Sequence, residues 1–217
     1  MRATPEPVRG GSTLIAVFAK APQAGRVKTR LAARIGNDAA ARVHASLVRR
    51  ALATAIEAGC GEVELHGSPP GNEALAALAR RCGIRLRRQS GGDIGRRMAR
   101  AFRDGLRMHG RMILVGSDCP ELAPADLRRA ARLLCACDAV IAPAEDGGYP
   151  LIGLARPVPG IFEEIAWSTP LVMAQTRAKL AALGLHWREL RTLRDVDRPA
   201  DLERLVASGL LMRRTRA

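Results

Sequence analysis

The sequence predicts an α/β protein in which a mostly parallel, mixed sheet lies between two layers of helices. Three observations carry that prediction. Short apolar runs alternate with amphipathic stretches along the chain, joined by short connections. Two of the runs, TLIAVFA (13–19) and RMILVG (111–116), are apolar at almost every position, as strands buried on both faces are. No internal repeat or long linker divides the chain, so the elements belong to a single domain over 12–217, behind a leader over 1–11 expected to be disordered.

In chain order, TLIAVFA is the first strand. A long amphipathic helix, DAAARVHASLVRRALATAIEAG, follows from Asn37 or Asp38 as N-cap and is closed by Gly59. EVELHG reads as the second strand, Pro69-Pro70-Gly71 as its turn, NEALAALARRCG as a capped helix and IRLRR as a short strand. IGRRMARAFRDGLRMHG is a helix before the apolar strand RMILVG. APADLRRAARLLCA carries proline in its first turn, as helices tolerate, and precedes the strand DAVIAPA. YPLIGLA is a further strand that Pro150, lacking an N–H, confines to an edge or a bulge. Helices over 170–183 and 199–207 flank the last strand, HWREL.

At 217 residues and 47% hydrophobic, the chain is long enough to bury a substantial core. A net charge of +14 suggests nucleic acid or another polyanion. The arginines fall at helical spacings throughout, as solvated helix faces would, and only 3% of residues are aromatic, which argues against single-strand binding. A bias toward anionic ligands remains. Five cysteines include no C-x-x-C pair, and Cys135 and Cys137 have no nearby histidines, so reduced thiols of a cytoplasmic protein fit better than a zinc site. No apolar run reaches the eighteen or so residues of a membrane span.

The loop FAKAPQAGRVKTRL (18–31) holds two of only three lysines, Lys20 and Lys28. It leaves the carboxyl end of the first strand and enters a helix, the place where open α/β sheets bind ligands. Gly25 permits a sharp turn, and Lys28 and Arg30 supply point and forked positive charge suited to phosphate oxygens. Val27 stands where a Walker A loop needs glycine. An ordinary basic turn into a helix would have the same spacing.

GSDCPEL (116–122) puts Asp118 at the carboxyl end of another strand, where it could hold Mg²⁺ beside a phosphate loop or cap the next segment. In RDVDRPADL (194–202), Asp195 and Asp197 face the same way if the segment is extended, and Asp197 could equally cap the helix opening at Pro199. EDGGYPLIGL (145–154) offers two glycines for close approach to a ligand, or a hairpin turn. QSGGDIGRRM (89–98) places Gly91, Gly92 and Gly95 ahead of a helix, and AWST places Trp167 and Ser168 before another, with core packing the commoner role for a tryptophan.

Taken in this order, F-A-K-A-P-x-x-G-x-x-K-T-R-L, Q-x-x-G-D-I-G, G-S-D-C-P-x-L, D-G-G-Y, W-S and D-V-D-x-P-x-D-L resemble a bacterial family of GT-A-like transferases in the nucleotide-diphospho-sugar transferase superfamily. Phospholactate guanylyltransferases and molybdenum-cofactor nucleotidyltransferases are among its relatives. The resemblance runs from Thr13 to Leu205 and implies a GT-A fold. It implies that Ala19, Gly25, Lys28, Thr29 and Arg30 cradle the nucleotide phosphates, with Gln89, Gly92, Asp93 and Gly95 near the base or ribose. Asp118 and Asp197, rather than Asp195, would hold Mg²⁺ or Mn²⁺, and Lys28, Arg30 and Asp118 would be catalytic. Asp146, Gly147, Gly148 and Tyr149, with Trp167 and Ser168, would lie near a small-molecule acceptor. Pro150 and Arg96 depart from the pattern, the second standing where an acidic residue is expected.

The activity so implied is nucleotidyl transfer from a nucleoside triphosphate to a phosphorylated or acidic acceptor. Glycosyl transfer from a nucleotide-diphosphate sugar is the alternative. A third possibility is a non-catalytic basic protein that binds polyanions on the same fold.

Overall fold

The computed structural model describes residues 11–207 and 209. The leader expected over 1–11 lies outside them except for Gly11, whose carbonyl accepts a hydrogen bond from Arg111 Nη2 at 2.8 Å.

The elements follow in the order β1 (Thr13–Lys20), α1 (Thr29–Ile35), α2 (Asn37–Ala58), β2 (Glu62–Ser68), α3 (Glu73–Cys82), β3 (Arg85–Arg88), α4 (Ile94–Gly105), β4 (Arg111–Gly116), α5 (Pro124–Leu133), β5 (Ala139–Ala142), β6 (Leu151–Leu154), α6 (Val172–Ala182), β7 (Trp187–Glu189) and α7 (Pro199–Ala207). The strands form one sheet in the order β3-β2-β1-β4-β6-β5-β7. Only β6 runs antiparallel to its neighbours, β4 and β5; the other pairs are parallel.

The unbroken apolar run of β1 is explained by its two faces. Ile15, Val17 and Ala19 enter one core, with Val48, Leu52 and Ala55 of α2 and Leu127 and Ala130 of α5. Leu14, Ala16 and Phe18 enter the other, with Met98, Ala101 and Phe102 of α4 and Met173 and Leu180 of α6. Strand alternation sends neighbouring residues to opposite faces, so both must be apolar.

Two expectations need correcting. Strand β6 is neither an edge nor a bulge but an inner strand, because Pro150 lies just before its first paired residue and so no ladder N–H is lost there. The Pro150 carbonyl even extends the pairing, accepting from Gly116 N at 2.8 Å. At the front of α2, neither Asn37 nor Asp38 is the cap. Gly36, at φ 82°, separates a short α1 from α2, whose N-terminus has no side-chain cap. The other punctuation agrees with the sequence: Gly59 and Gly83 end α2 and α3 in left-handed conformations, and the Asn72 side chain accepts from Leu75 N.

Candidate active site

Three segments far apart in sequence meet beyond the carboxyl ends of β1 and β4. They are the loop between β1 and α1, the loop after β4, and the stretch between β7 and α7. Backbone ties them together, as Val196 N donates to the Asp118 carbonyl at 2.9 Å. Lys28 Nζ then donates to the Val196 carbonyl at 2.6 Å.

Lys28 is the hub. Its backbone is left-handed (φ 49°, ψ 43°), and its side chain is only 3% exposed. Nζ lies 3.0 Å from Asp118 Oδ1 and 3.8 Å from Asp197 Oδ1. Arg30, exposed at the surface, reaches Asp197 Oδ2 with Nη1 at 2.9 Å. Lys28 and Arg30 are thus both held by carboxylates of the site, and an ordinary basic turn does not describe it.

The aspartates are not caps. Helix α7 is capped by Asp201, whose Oδ2 accepts from Asp197 N and Arg198 N at 3.0 and 2.7 Å. Helix α5 has Asp126 accepting from Ala123 N at 2.9 Å. Asp118 and Asp197 are therefore left to the site. Between Asp195 and Asp197, Val196 points the other way into a small core with Leu47 and Leu205.

His44, which the sequence did not single out, completes the inner wall. It is buried on α2, with Nε2 donating to the Lys20 carbonyl at 3.0 Å and Nδ1 at 3.6 Å from Asp118 Oδ1. Its only signal in the sequence is a polar residue within the apolar stripe Ala40, Ala41, Leu47, Val48.

The carboxylates differ in electrostatics. Burial of the inner oxygen pushes the Asp118 carboxyl up, but the His44 imidazole and Lys28 ammonium outweigh it and hold it at about 2. Asp195 is driven the other way, to about 6, by burial and then by the charges of Asp146 and Asp197, against a partial offset from Lys28. Four carboxylates, Asp118, Asp146, Asp195 and Asp197, thus share the neighbourhood of two cations. Among the described residues no three His, Cys, Asp or Glu side chains converge closely enough to cage a metal.

The remaining expected residues are dispersed around this centre. Gly25 turns at φ 75° in the loop, and Thr29 begins α1 on the surface. The Ala19 side chain is in the core, but its carbonyl accepts from Gln89 Nε2 at 3.3 Å. Gln89 also donates to the His66 carbonyl at 2.8 Å, tying the ends of β1 and β2. Asp93 caps α4 by accepting from Arg96 N at 2.9 Å, and Arg96 pairs back to it at 3.6 Å. The Gly92 carbonyl accepts from Arg97 Nε.

On the acceptor side, Asp146 accepts from Gly148 N at 2.9 Å within its own turn. A Cβ on Gly147 (φ 87°) would come within 2.2 Å of the Pro170 carbonyl, so this glycine receives the protein's own backbone, not a ligand. Trp167 is half-buried, packed edge-on to Tyr149 at 6.3 Å and tilted against Phe162 at 6.4 Å. Gly95 lies beneath it: a Cβ there would stand 2.4 Å from Trp167 Nε1. Trp167 thus packs against the α4-side core while staying partly exposed, and Ser168 at φ 65° is exposed beside it.

A family model described as "Uncharacterized protein conserved in bacteria" (DUF2064) matches residues 51–169, more than half of the chain. The chain belongs to the DUF2064 family. That match takes in Gln89, Asp118 and the D-G-G-Y turn, whereas Lys28, Arg30 and Asp197 lie outside it. A crystal structure from Desulfovibrio desulfuricans G20, described provisionally as a nucleotide-diphospho-sugar transferase, is 30% identical with a TM-score of 0.84, covering 91% of this chain and 87% of that one. At 14% identity and a TM-score of 0.61, CMP:2-keto-3-deoxy-manno-octonic acid synthetase complexed with CTP shares the fold over 91% of this chain and 98% of its own. A nucleotidyl transferase from Methanothermobacter thermautotroptrophicus does so at 15% identity and 0.61, over 94% and 100%. No curated protein matches the sequence. The DUF2064 chain therefore has the GT-A, nucleotide-diphospho-sugar transferase fold that its motifs suggest.

Proposed function

We propose that the chain is a Mg²⁺-dependent nucleotidyltransferase: an acceptor oxygen attacks the α-phosphorus of a nucleoside triphosphate and the bond to pyrophosphate breaks. One observation carries this reading. In a molecule of net charge +14, the carboxyl ends of β1 and β4 hold an acidic hollow, four carboxylates against Lys28 and Arg30. A dication with its nucleotide answers that imbalance, whereas a bare polyanion does not.

The donor set fits magnesium. Two hard oxygen donors, Asp118 and Asp197, already lie within 4 Å of one cationic atom, Lys28 Nζ. Mg²⁺ takes one or two carboxylates and completes its shell with phosphates and water, so an all-protein cage is not needed. When bound, the ion would neutralise charge on the phosphates as pyrophosphate departs. Asp118, ionised far below neutral pH, is a ligand and not a proton acceptor at pH 7. Lys28 keeps the two carboxylates together without metal and is placed to share its charge with a phosphate. Arg30 is the more exposed partner, free to swing toward the nucleotide. His44 fixes the inner side of Asp118.

Glycosyl transfer is the second reading, favoured by the description of the 30%-identical relative. It would use the same metal and carboxylates with a diphosphate leaving group. A thermal-shift series with nucleoside triphosphates and nucleotide sugars, with and without Mg²⁺, separates the readings. For the right donor at a hundred times its Kd, the expected gain is about 2.7 kcal/mol, or roughly 5–10 °C in Tm, only with Mg²⁺ and absent in Asp118→Asn. Pyrophosphate release then identifies the triphosphate reaction. Equal, metal-independent shifts from every polyanion would overturn both readings.

A further inference from the structure

On the α4 side of the sheet, β1 is covered and β2 is not. Glu62, Glu64 and His66 alternate along β2 and so share a face, beside Leu14, Ala16 and Phe18 of β1 and beside Arg85 and Arg87 of β3. The apolar face of β1 thus becomes a charged floor toward the sheet edge. Helix α4 forms the wall above it with Arg97, Arg100 and Asp104, spaced three and four apart and therefore on one stripe. Together they enclose a cavity of about 710 Å³, within the range of small-molecule sites.

The acids of this cavity already have partners. Glu62 is held by Arg85 and by His109 at 3.2 Å, and Glu64 by His66 and Arg87, each at 3.1 Å. Asp104 is paired to Arg103 at 3.3 Å. Two guanidiniums on the α4 wall have no acidic partner among the described residues. The side chain of Arg100 makes no hydrogen bond or ion pair there, and Arg97 bonds only the neutral oxygens of Gly92 and Ser68. Arg88, paired with Gly67 in the register, alternates to the opposite, α3 face. Gln89, which lines the same cavity, uses its amide hydrogens on the ends of β1 and β2.

We infer that this groove is a second binding site, for a phosphorylated small molecule whose phosphoryl group is taken by Arg97 and Arg100. Arginine forks match phosphate oxygens two at a time, and the filled acidic floor below leaves no competing carboxylate. The site lies outside the acidic hollow and needs no metal, so it stands or falls separately from the transferase reading.

Calorimetric titration of the full chain with inorganic phosphate and with glucose 6-phosphate, at 0.15 M salt and without divalent metal, tests it. The expected result is saturable binding that falls at least tenfold in Arg97→Ser/Arg100→Ser and persists in Arg129→Ser, an exposed arginine of α5. Arg100 is exposed and Arg97 half-buried, and circular dichroism checks that the fold is kept. No binding by the wild type, equal binding by the double variant, or the same loss in Arg129→Ser each overturns the assignment. A nucleoside triphosphate added to the phosphate complex identifies the source. Displacement makes the groove part of the donor's site and overturns its assignment as a second one, whereas simultaneous binding supports a separate phosphorylated compound.

Discussion

Lys28 pays for its position with a left-handed backbone, φ 49°, that lysine seldom adopts and that costs on the order of 1 kcal/mol. The return is a buried ammonium seated on Asp118, Asp197 and the Val196 carbonyl at once. Asp118 is correspondingly easy to ionise, its pKa held at about 2, so its pairing stabilises the fold above the unfolded value near 3.9 and is lost as pH falls toward 2. Asp195 does the reverse. With a pKa raised to about 6, its proton is held more tightly in the folded chain than in the unfolded one, so it stabilises only below about pH 4 and that contribution disappears as pH rises through 6. Asp195→Asn should therefore raise Tm by roughly 2–4 °C at pH 8, the effect of about 1 kcal/mol, and change little at pH 4. Thermal melts followed by circular dichroism would show it. A lower Tm at pH 8 would mean that the carboxylate is needed there, against the crowding by Asp146 and Asp197.

Among the elements, α4 illustrates how a motif can serve packing. Its second residue, Gly95, lies under Trp167, where a Cβ would meet the indole nitrogen at 2.4 Å and the Phe162 carbonyl at 2.9 Å. Alanine is the better helix former, so on propensity alone Gly95→Ala would stabilise. Overpacking should win, with a loss of about 1–3 kcal/mol and a shift in tryptophan emission as Trp167 is displaced; a raised Tm with unchanged emission would refute that contact. The same comparison of local and distant effects explains what the sequence made legible. Continuous apolar runs marked β1 and β4 because their cause, burial on two faces, acts along the strand itself. Gly59 and Gly83 marked helix ends for the same local reason. Lys28 and Asp118 were legible as loop residues at strand ends. Whether Asp197 capped α7 was not, because it stands beside the helix's first turn and what holds it elsewhere, Arg30 and Lys28, lies more than 160 residues away. His44 stayed hidden because a histidine in an apolar stripe looks like core until Asp118 is placed opposite it. Strand β6 was misjudged since proline's lost donor matters only inside the ladder, and its register fixes Pro150 one residue outside.

Across the whole molecule, charge is divided unevenly: +14 overall, with an acidic hollow around Lys28 and a separate arginine-walled groove under α4. The surplus arginine makes weak, unspecific attraction to any polyanion unavoidable, and such attraction is strongly screened by salt. The proposed binding of a metal–nucleotide complex in the hollow should respond differently, because it would rest on a few short contacts at partly buried carboxylates. Raising NaCl from 0.05 to 0.2 M should weaken heparin binding by roughly 10³- to 10⁵-fold if six to ten charges are engaged. The affinity for a Mg²⁺–nucleoside triphosphate should fall by roughly tenfold or less over the same interval, since the ion and the four carboxylates cancel much of the charge that salt would screen. Magnesium itself should act in opposite directions, weakening heparin binding by competition and enabling nucleotide binding. Fluorescence anisotropy with labelled heparin and a labelled nucleotide, over a salt and Mg²⁺ grid, measures both slopes in one preparation. Parallel slopes for the two ligands would reduce the hollow to part of a general basic surface, and divergent ones would separate a built site from the field around it.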